Sequence, residues 1–254
     1  MTPDVVVDVG NSRIKWGRVA GGTVAEMVAL PPDDPAAWDK QAARWKLAKG
    51  TRWAMAGVQP TTLSRLAKWC RAVGGTVTII SGRAQVPLTV AIKEPDSVGV
   101  DRLLNALAAK AVVPRHTPAV IVSVGTAVTV DLLDARGRFA GGAIFPGPQL
   151  MATALHQHTA KLPEIEIPEI DLYGNIGQNT AEAIEMGVGS AVLGGIDLTI
   201  SSFTIYLRKN PWLFLTGGGV GQLDQWSFDA ALDGTVVNPR LTLEGVRLAA
   251  EALP

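Results

Sequence analysis

Residues 5–19 read VVVDVGNSRIKWGRV. Two runs rich in β-branched residues flank Gly10-Asn11-Ser12, a pattern of strand, tight turn, strand. Gly10 and Asn11 suit the positive φ that such a turn requires. A second stretch, VIVSVGTAVTVDLLDARGRFAGGAIF at 120–145, opens in the same way: apolar run, glycine, small polar residue, apolar run. Laying Gly125 over Gly10 gives an offset of 115 residues. That offset also aligns Val122 with Val7, Val124 with Val9 and Thr126 with Asn11, and sets Ser123 against Asp8. Asp134-Ala-Arg-Gly137 predicts a turn and Arg138 to Phe145 a third strand. An internal repeat organises a whole fold, so the chain is expected to be two related domains, residues 1–115 and 116–254, meeting near Pro114–Pro118. A chance match over so short a stretch is the alternative.

Between the hairpins the spacing predicts helices over 33–49 (Trp38, Ala42, Trp45) and from Thr61 to Val73 (Leu63, Leu66, Ala67, Cys70), with a strand from Thr76 to Ile80. The clearest amphipathic helix runs from Asp96 to Val113, carrying Val100, Leu103, Leu104, Leu107, Ala108, Ala111 and Val112 at three-and-four spacing. Asp96 or Ser97 can cap its start and Pro114 ends it. In the second half, helices are expected over Leu150–Thr159, Thr180–Tyr206 and Leu241–Leu253. Glycines 187, 189, 194 and 195 mark close packing or a break in the long one. Trp212 to Thr216 reads as a strand running into Gly217-Gly-Gly-Val-Gly221. Hairpins alternating with helices make the fold class α/β.

Composition narrows the function classes. The chain has 254 residues, 47% hydrophobic and 18% charged, enough apolar surface for a packed core and too little polarity for general disorder. Its 23 basic and 23 acidic residues cancel, leaving no electrostatic footprint for nucleic acid or an anionic membrane. One cysteine, Cys70, excludes an internal disulfide and fits a reducing compartment. The start, MTPDVVVDVG, does not read as a signal peptide. Ala119–Leu133 is too short and too interrupted to span a bilayer. The expectation is a soluble cytoplasmic protein.

Four constellations bear on chemistry. Asp8, Gly10, Asn11 and Lys15 place a carboxylate at the end of a buried strand, beside a glycine turn, with a lysine four residues past Asn11. Turn N–H groups cradle phosphate oxygens, a carboxylate holds Mg²⁺ directly or through water, and a lysine supplies a compact positive charge. A surface hairpin with ordinary charges fits the same residues. Asp101-Arg102 lies near a helix start, where an acid is stabilised by the helix dipole. It also suits a base that orients a substrate hydroxyl beside an arginine for an anionic group. Gly125-Thr126-Ala-Val-Thr129 is a second turn, a plain β-turn or one able to close around phosphates. Gly217-Gly-Gly219 after a strand can admit a flat base or a ribose. It is not GxGxxG, since the last position is Gln222, and GxxxxGK[ST] is absent too. His116, His156 and His158 lack metal-ligand spacing, no GxSxG occurs, and the seven tryptophans are scattered along the chain, as packing residues.

Taken together, these segments resemble the type III pantothenate kinases of the acetate and sugar kinase/Hsp70/actin superfamily. Asp8-Val-Gly-Asn-Ser-Arg-Ile-Lys15 is similar to the family's first phosphate motif, with Ser12 where threonine is usual. Gly99-Val-Asp-Arg102 resembles its GxDR segment and Gly125-Thr-Ala-Val-Thr-Val-Asp131 its second phosphate motif. Gly141 to Gly147, Met151, Ala154-Leu155, Thr159 to Pro163, Gly177 to Thr180 and Thr216 to Gly219 follow in the family's order.

The resemblance implies two duplicated ribonuclease H-like (actin-like ATPase) domains with a nucleotide cleft between them. It implies ATP-dependent phosphorylation of pantothenate to 4′-phosphopantothenate, the first committed step toward coenzyme A. By resemblance Asp101 is the base, and Gly99, Val100, Asp101, Arg102 and Thr180 contact pantothenate. Asp8, Val9, Gly10, Asn11, Ser12, Arg13, Ile14, Lys15 and Thr126 bind ATP, with Mg²⁺ at Asp8. The partner is a second copy, joined through the second domain. Two positions depart from the family. Ser123 replaces the aspartate that binds a monovalent cation, which argues against a K⁺ or NH₄⁺ site of the usual kind. Ile92 stands where a tyrosine often contacts substrate. These losses leave two alternatives open: a catalytically degenerate nucleotide-binding regulator, or a superfamily kinase for another small alcohol.

Overall fold

The computed structural model describes residues 1–167, 176–220 and 232–254. The chain divides into two compact units, one made of Met1–Val112 with Arg240–Pro254, the other of Val113–Pro239.

In the first unit, β1 (Val5–Val9), β2 (Ile14–Ala20), β3 (Thr23–Leu30), β4 (Arg52–Gly57) and β5 (Thr76–Ile80) form one sheet in the order β3-β2-β1-β4-β5. β2 pairs antiparallel with both β1 and β3, whereas β4 pairs in parallel with both β1 and β5. Parallel strands need crossover helices, and α1 (Pro35–Arg44) and α2 (Pro60–Ala72) supply them. Each has a proline in its first turn, where the missing N–H costs nothing. Their apolar faces bury one side of the sheet, with Val5, Val7, Val9, Trp16, Trp53 and Met55 packed against Trp38, Leu63 and Leu66. Five of the tryptophans gather here; Trp16 and Trp53 meet edge to face with centroids 4.9 Å apart.

The other side of that sheet is covered by α3 (Val100–Val112) and α6 (Leu241–Ala252). Gly17 makes room there: a Cβ at that position would stand 2.8 Å from Val6 and 3.1 Å from the Leu243 side chain. A boundary at 115/116 would leave residues 241–252 with the second half. The helix packs in the first unit instead, because its buried stripe of Leu243, Val246, Ala249 and Ala250 matches the uncovered sheet face and α3.

The second unit repeats the plan. Strands β6 (Ala119–Val124), β7 (Ala127–Leu133), β8 (Phe139–Pro146), β9 (Trp212–Gly217) and β10 (Gly234–Val237) lie in the order β10-β9-β6-β7-β8. Strand directions match the first sheet one for one. The duplication read from two short hairpins is therefore a duplication of five-stranded sheets. The predicted turn at 134–137 is present: the Asp134 carboxylate accepts from the Arg136 and Arg138 N–H groups, both at 2.9 Å, and Gly137 has φ 70.

Two helices complete this unit. Helix α4 (Pro148–Gln157) follows β8, and α5 (Thr180–Leu207) is 28 residues long. Asn179 and Glu182 form a reciprocal cap at the start of α5, Asn179 Oδ1 accepting from Glu182 N at 3.0 Å and Glu182 accepting from Gln178 N at 2.9 Å. Val192, Leu193, Ile196 and Ile200 bury one stripe of α5 against Val120, Val122, Val130 and Leu213. Of the two readings of its glycines, close packing or a break, the helix shows no break. Gly195 instead admits the Phe145 ring, 3.3 Å from where a Cβ would stand. Among the described residues α5 is the helix long and apolar enough to cross a bilayer by length and composition.

Candidate active site

The first unit brings three of the expected charges together. Asp8 and Lys15 are direct neighbours across β1 and β2, and Asp101 is close enough to act on Asp8 electrostatically. Burial is the main influence on Asp8, pushing its carboxyl up to about 6; Lys15 opposes the rise and Asp101 adds to it. Asp8, Lys15 and Asp101 are each partly buried, and the Asp8 carboxylate is a hard oxygen donor that Lys15 only partly offsets. That donor set fits Mg²⁺, which takes one or two carboxylates and fills its remaining positions with water and phosphate oxygens. No larger cluster of metal-ligating side chains is present among the described residues.

The turn between β1 and β2 occupies residues 10–13. Gly10 N–H donates to the Arg13 carbonyl at 3.1 Å, and Gln59 Nε2 donates to Asn11 Oδ1 at 2.9 Å. Gln59 carried no signal in the sequence; it is the residue that precedes helix α2. Gly57 lies beside it with no room for a side chain, since a Cβ would come within 2.5 Å of Val9. Of the residues expected to bind nucleotide, Val9 and Ile14 are buried core, and Asn11, Ser12 and Arg13 are exposed.

The expected helix from Asp96 to Val113 is two elements. A short 3-10 turn at Pro95–Ser97 is followed by extended Val98, and the α-helix starts at Val100. Gly99, not Asp96 or Ser97, receives the first helical bonds, from Arg102 N at 3.2 Å and Leu103 N at 3.4 Å. Asp101 thereby falls in the first turn, where the helix dipole favours its charge. A Cβ on Gly99 would stand 2.6 Å from Asp101 Oδ1, so the glycine leaves the carboxylate free to fold back over the helix start. Helix α3 is itself fixed by α6: Thr242 donates to buried Asn105 at 2.8 Å, and Gly245 abuts the backbone of Leu104.

In the second unit the turn between β6 and β7 is one residue shorter. Val124 pairs with Val128, whereas Val9 pairs with Ile14 across four residues. Ser123 lies opposite Thr216 on the parallel strand β9. Thr216 is fully buried, and its hydroxyl has no hydrogen-bond partner among the described residues. Two neutral hydroxyl residues thus stand side by side where the resemblance implies an aspartate. Gly217, at φ 100, and Gly219 close onto the same turn, Gly219 N–H donating to the Val124 carbonyl at 3.0 Å. Gly221 and Gln222 lie outside the described residues.

Thr180 opens α5 and lines an apolar groove of about 690 Å³ between α4 and α5, with Leu150, Met151, Leu155 and Val188. Ile92 is partly buried.

The sequence model of the type III pantothenate kinases matches residues 5–202, which takes in Asp8, Asp101, Thr126 and Thr180. This chain belongs to the type III pantothenate kinase family. Curated members align over most of their length. The type III pantothenate kinase of Gluconobacter oxydans is 30% identical, over 97% of this chain and 92% of that protein. The one from Halorhodospira halophila is 34% identical, over 86% and 88%. Among solved structures, a proposed 2-dehydro-3-deoxygalactonokinase from Sinorhizobium meliloti superimposes with a TM-score of 0.64 at 14% identity, covering 98% of both chains. The ethanolamine utilization protein EutJ of Carboxydothermus hydrogenoformans does so with 0.55 at 12%, covering 96% of this chain and 89% of that one. These two share the fold with this family member.

Proposed function

We propose that this chain transfers the terminal phosphoryl group of ATP to the primary hydroxyl of pantothenate, giving 4′-phosphopantothenate and ADP. The family match over residues 5–202 carries this reading, and the convergence of Asp8, Lys15 and Asp101 supports its chemistry.

Phosphoryl transfer needs positioning and charge neutralisation more than covalent help from the protein. In this reading Asp101 accepts the hydrogen bond of the pantothenate hydroxyl and takes its proton as the new P–O bond forms. An acid in the first helical turn suits that task because the helix start fixes where its oxygens meet the nucleophile. Arg102 and the Gly99–Val100 backbone hold the substrate beside it, and Thr180 touches it. The 9–14 segment and Thr126 bind the ATP phosphates, and Lys15 offsets their charge. Asp8 would hold Mg²⁺, which when bound screens the triphosphate. Ser123 leaves the site without the family's charged monovalent-cation ligand.

The assembly we infer is a homodimer joined through the second unit. Leu198, Ile205 and Tyr206 expose 73–78% of their surface along α5, a row that a water-soluble kinase covers with a like surface. The balanced charge favours neither nucleic acid nor an anionic membrane, and we infer a cytoplasmic enzyme.

A coupled ADP-release assay with ATP and Mg²⁺ tests the function. ADP release that depends on added pantothenate is expected. Release at the same rate without pantothenate, or none with it, overturns the reading.

A further inference from the structure

We propose that Gly147, which no comparison singles out, is a positioning residue that aims two backbone N–H groups of the 125–127 turn at the ATP phosphates. The inference rests on the reading that this turn binds phosphate.

Gly147 stands between β8 and α4, and its N–H donates to the Thr126 carbonyl at 2.9 Å. A Cβ at Gly147 would overlap the Gly125 carbonyl oxygen and stand 2.8 Å from the Thr126 carbonyl oxygen. Two consecutive carbonyls of the turn thus face Gly147 at the closest distance a backbone allows. In a trans peptide the C=O and the following N–H point in opposite directions, and no cis bond occurs in the described chain. The N–H groups of Thr126 and Ala127 are therefore turned away from Gly147, onto the other face of the turn. Successive N–H groups on one face make an anion-binding concavity. Gly217 and Gly219 hold the preceding residue, Val124, from the β9 side. Phe145, two residues before Gly147, is in turn wedged on Gly195 of α5. The turn is clamped on two sides by backbone, and only glycine permits either approach.

Gly147 has φ −73 and ψ 167, which alanine adopts without strain. Gly147→Ala therefore perturbs the contact and not the local conformation. The expected result is a rise in KM for ATP of about 10- to 100-fold, the scale on which a shift near 1 Å costs a positioned group, with KM for pantothenate unchanged. Gly142→Ala is the control. Its Cβ also meets backbone, 2.9 Å from the Asp131 Cα, but away from the turn. It should lower the melting temperature and leave KM for ATP unaltered. An equal rise of KM for ATP in both variants, or no rise in Gly147→Ala, overturns the proposal. Should Gly147→Ala not fold, hydrogen exchange on the wild-type enzyme decides: ATP should protect the amides of 126, 127 and 147 together, and protection of the turn without 147 refutes the clamp. Hydrogen exchange separates the two levels. If ATP protects neither the 126 nor the 127 amide, the phosphate role of the turn fails; if it protects both while Gly147→Ala leaves KM for ATP unchanged, only the clamp fails.

Discussion

Asp8→Asn should make the protein more stable while disabling it. The carboxyl at Asp8 is shifted from its ordinary 3.8 to about 6, with burial as the main cause. Between those two values the folded protein binds a proton that the unfolded chain has already released. Stability therefore falls as pH rises through that window, and above about pH 6 the full penalty is present. A difference of about two pH units corresponds to about 3 kcal/mol. Asparagine has nearly the same shape and no charge, so the variant escapes the penalty, less whatever attraction to Lys15 is lost. For a chain of this length each kcal/mol moves the melting temperature by about 2–4 °C. The variant is expected to melt about 5–10 °C above wild type at pH 7.5, and at the same temperature as wild type near pH 4. Differential scanning calorimetry at both pH values, without nucleotide, measures this. Adding Mg²⁺ and ATP should then stabilise the wild type and not the variant. A variant that is less stable than wild type at pH 7.5, or a gain that persists unchanged at pH 4, would refute the claim that a buried, imperfectly compensated charge is stored at this position.

Asp101→Asn should keep its helical circular dichroism and lose about 10²- to 10⁴-fold in kcat, the usual worth of a proton acceptor; wild-type turnover would remove Asp101 from the reaction. Rates in K⁺ and Na⁺ buffers of equal ionic strength should be nearly the same, because Ser123 offers no charge; a marked K⁺ requirement would show a cation site built from other groups. Cys70 is fully buried, and burial holds its thiol well above the usual range. A thiol reagent at pH 8 should label it only after unfolding in denaturant, and rapid labelling of the native enzyme would contradict the packing of α2.

Local chemistry was enough for much of this architecture. Val5–Val9 and Ala119–Val124 announce themselves as strands because β-branched residues run unbroken to a glycine turn. Helices α2, α3 and α5 show their three-and-four spacing over ten residues or more. Strands β3, β4 and β10 carried no comparable signal. Thr23–Leu30 mixes exposed and buried positions on an edge, Arg52–Gly57 is short and alanine-rich, and Gly234–Val237 has four residues. The repeat itself was only half visible. The second turn is a residue shorter than the first, so the offset of 115 fails beyond it and Trp16 corresponds in register to Val130.

The sequence by itself singled out the residues proposed for the chemistry: Asp8, Lys15, Asp101 and Thr126 stand in short motifs whose spacing is local, so a strand, a turn or one helical turn suffices to recognise them. Only the tertiary structure decided how those residues are held. The chain's last helix returns to the first sheet and steadies the helix of Asp101. Five tryptophans distant in sequence fill one core, and Gly147 reaches a turn twenty residues upstream. Such contacts depend on which surfaces remain uncovered once the sheets have formed, and a linear pattern holds no record of that.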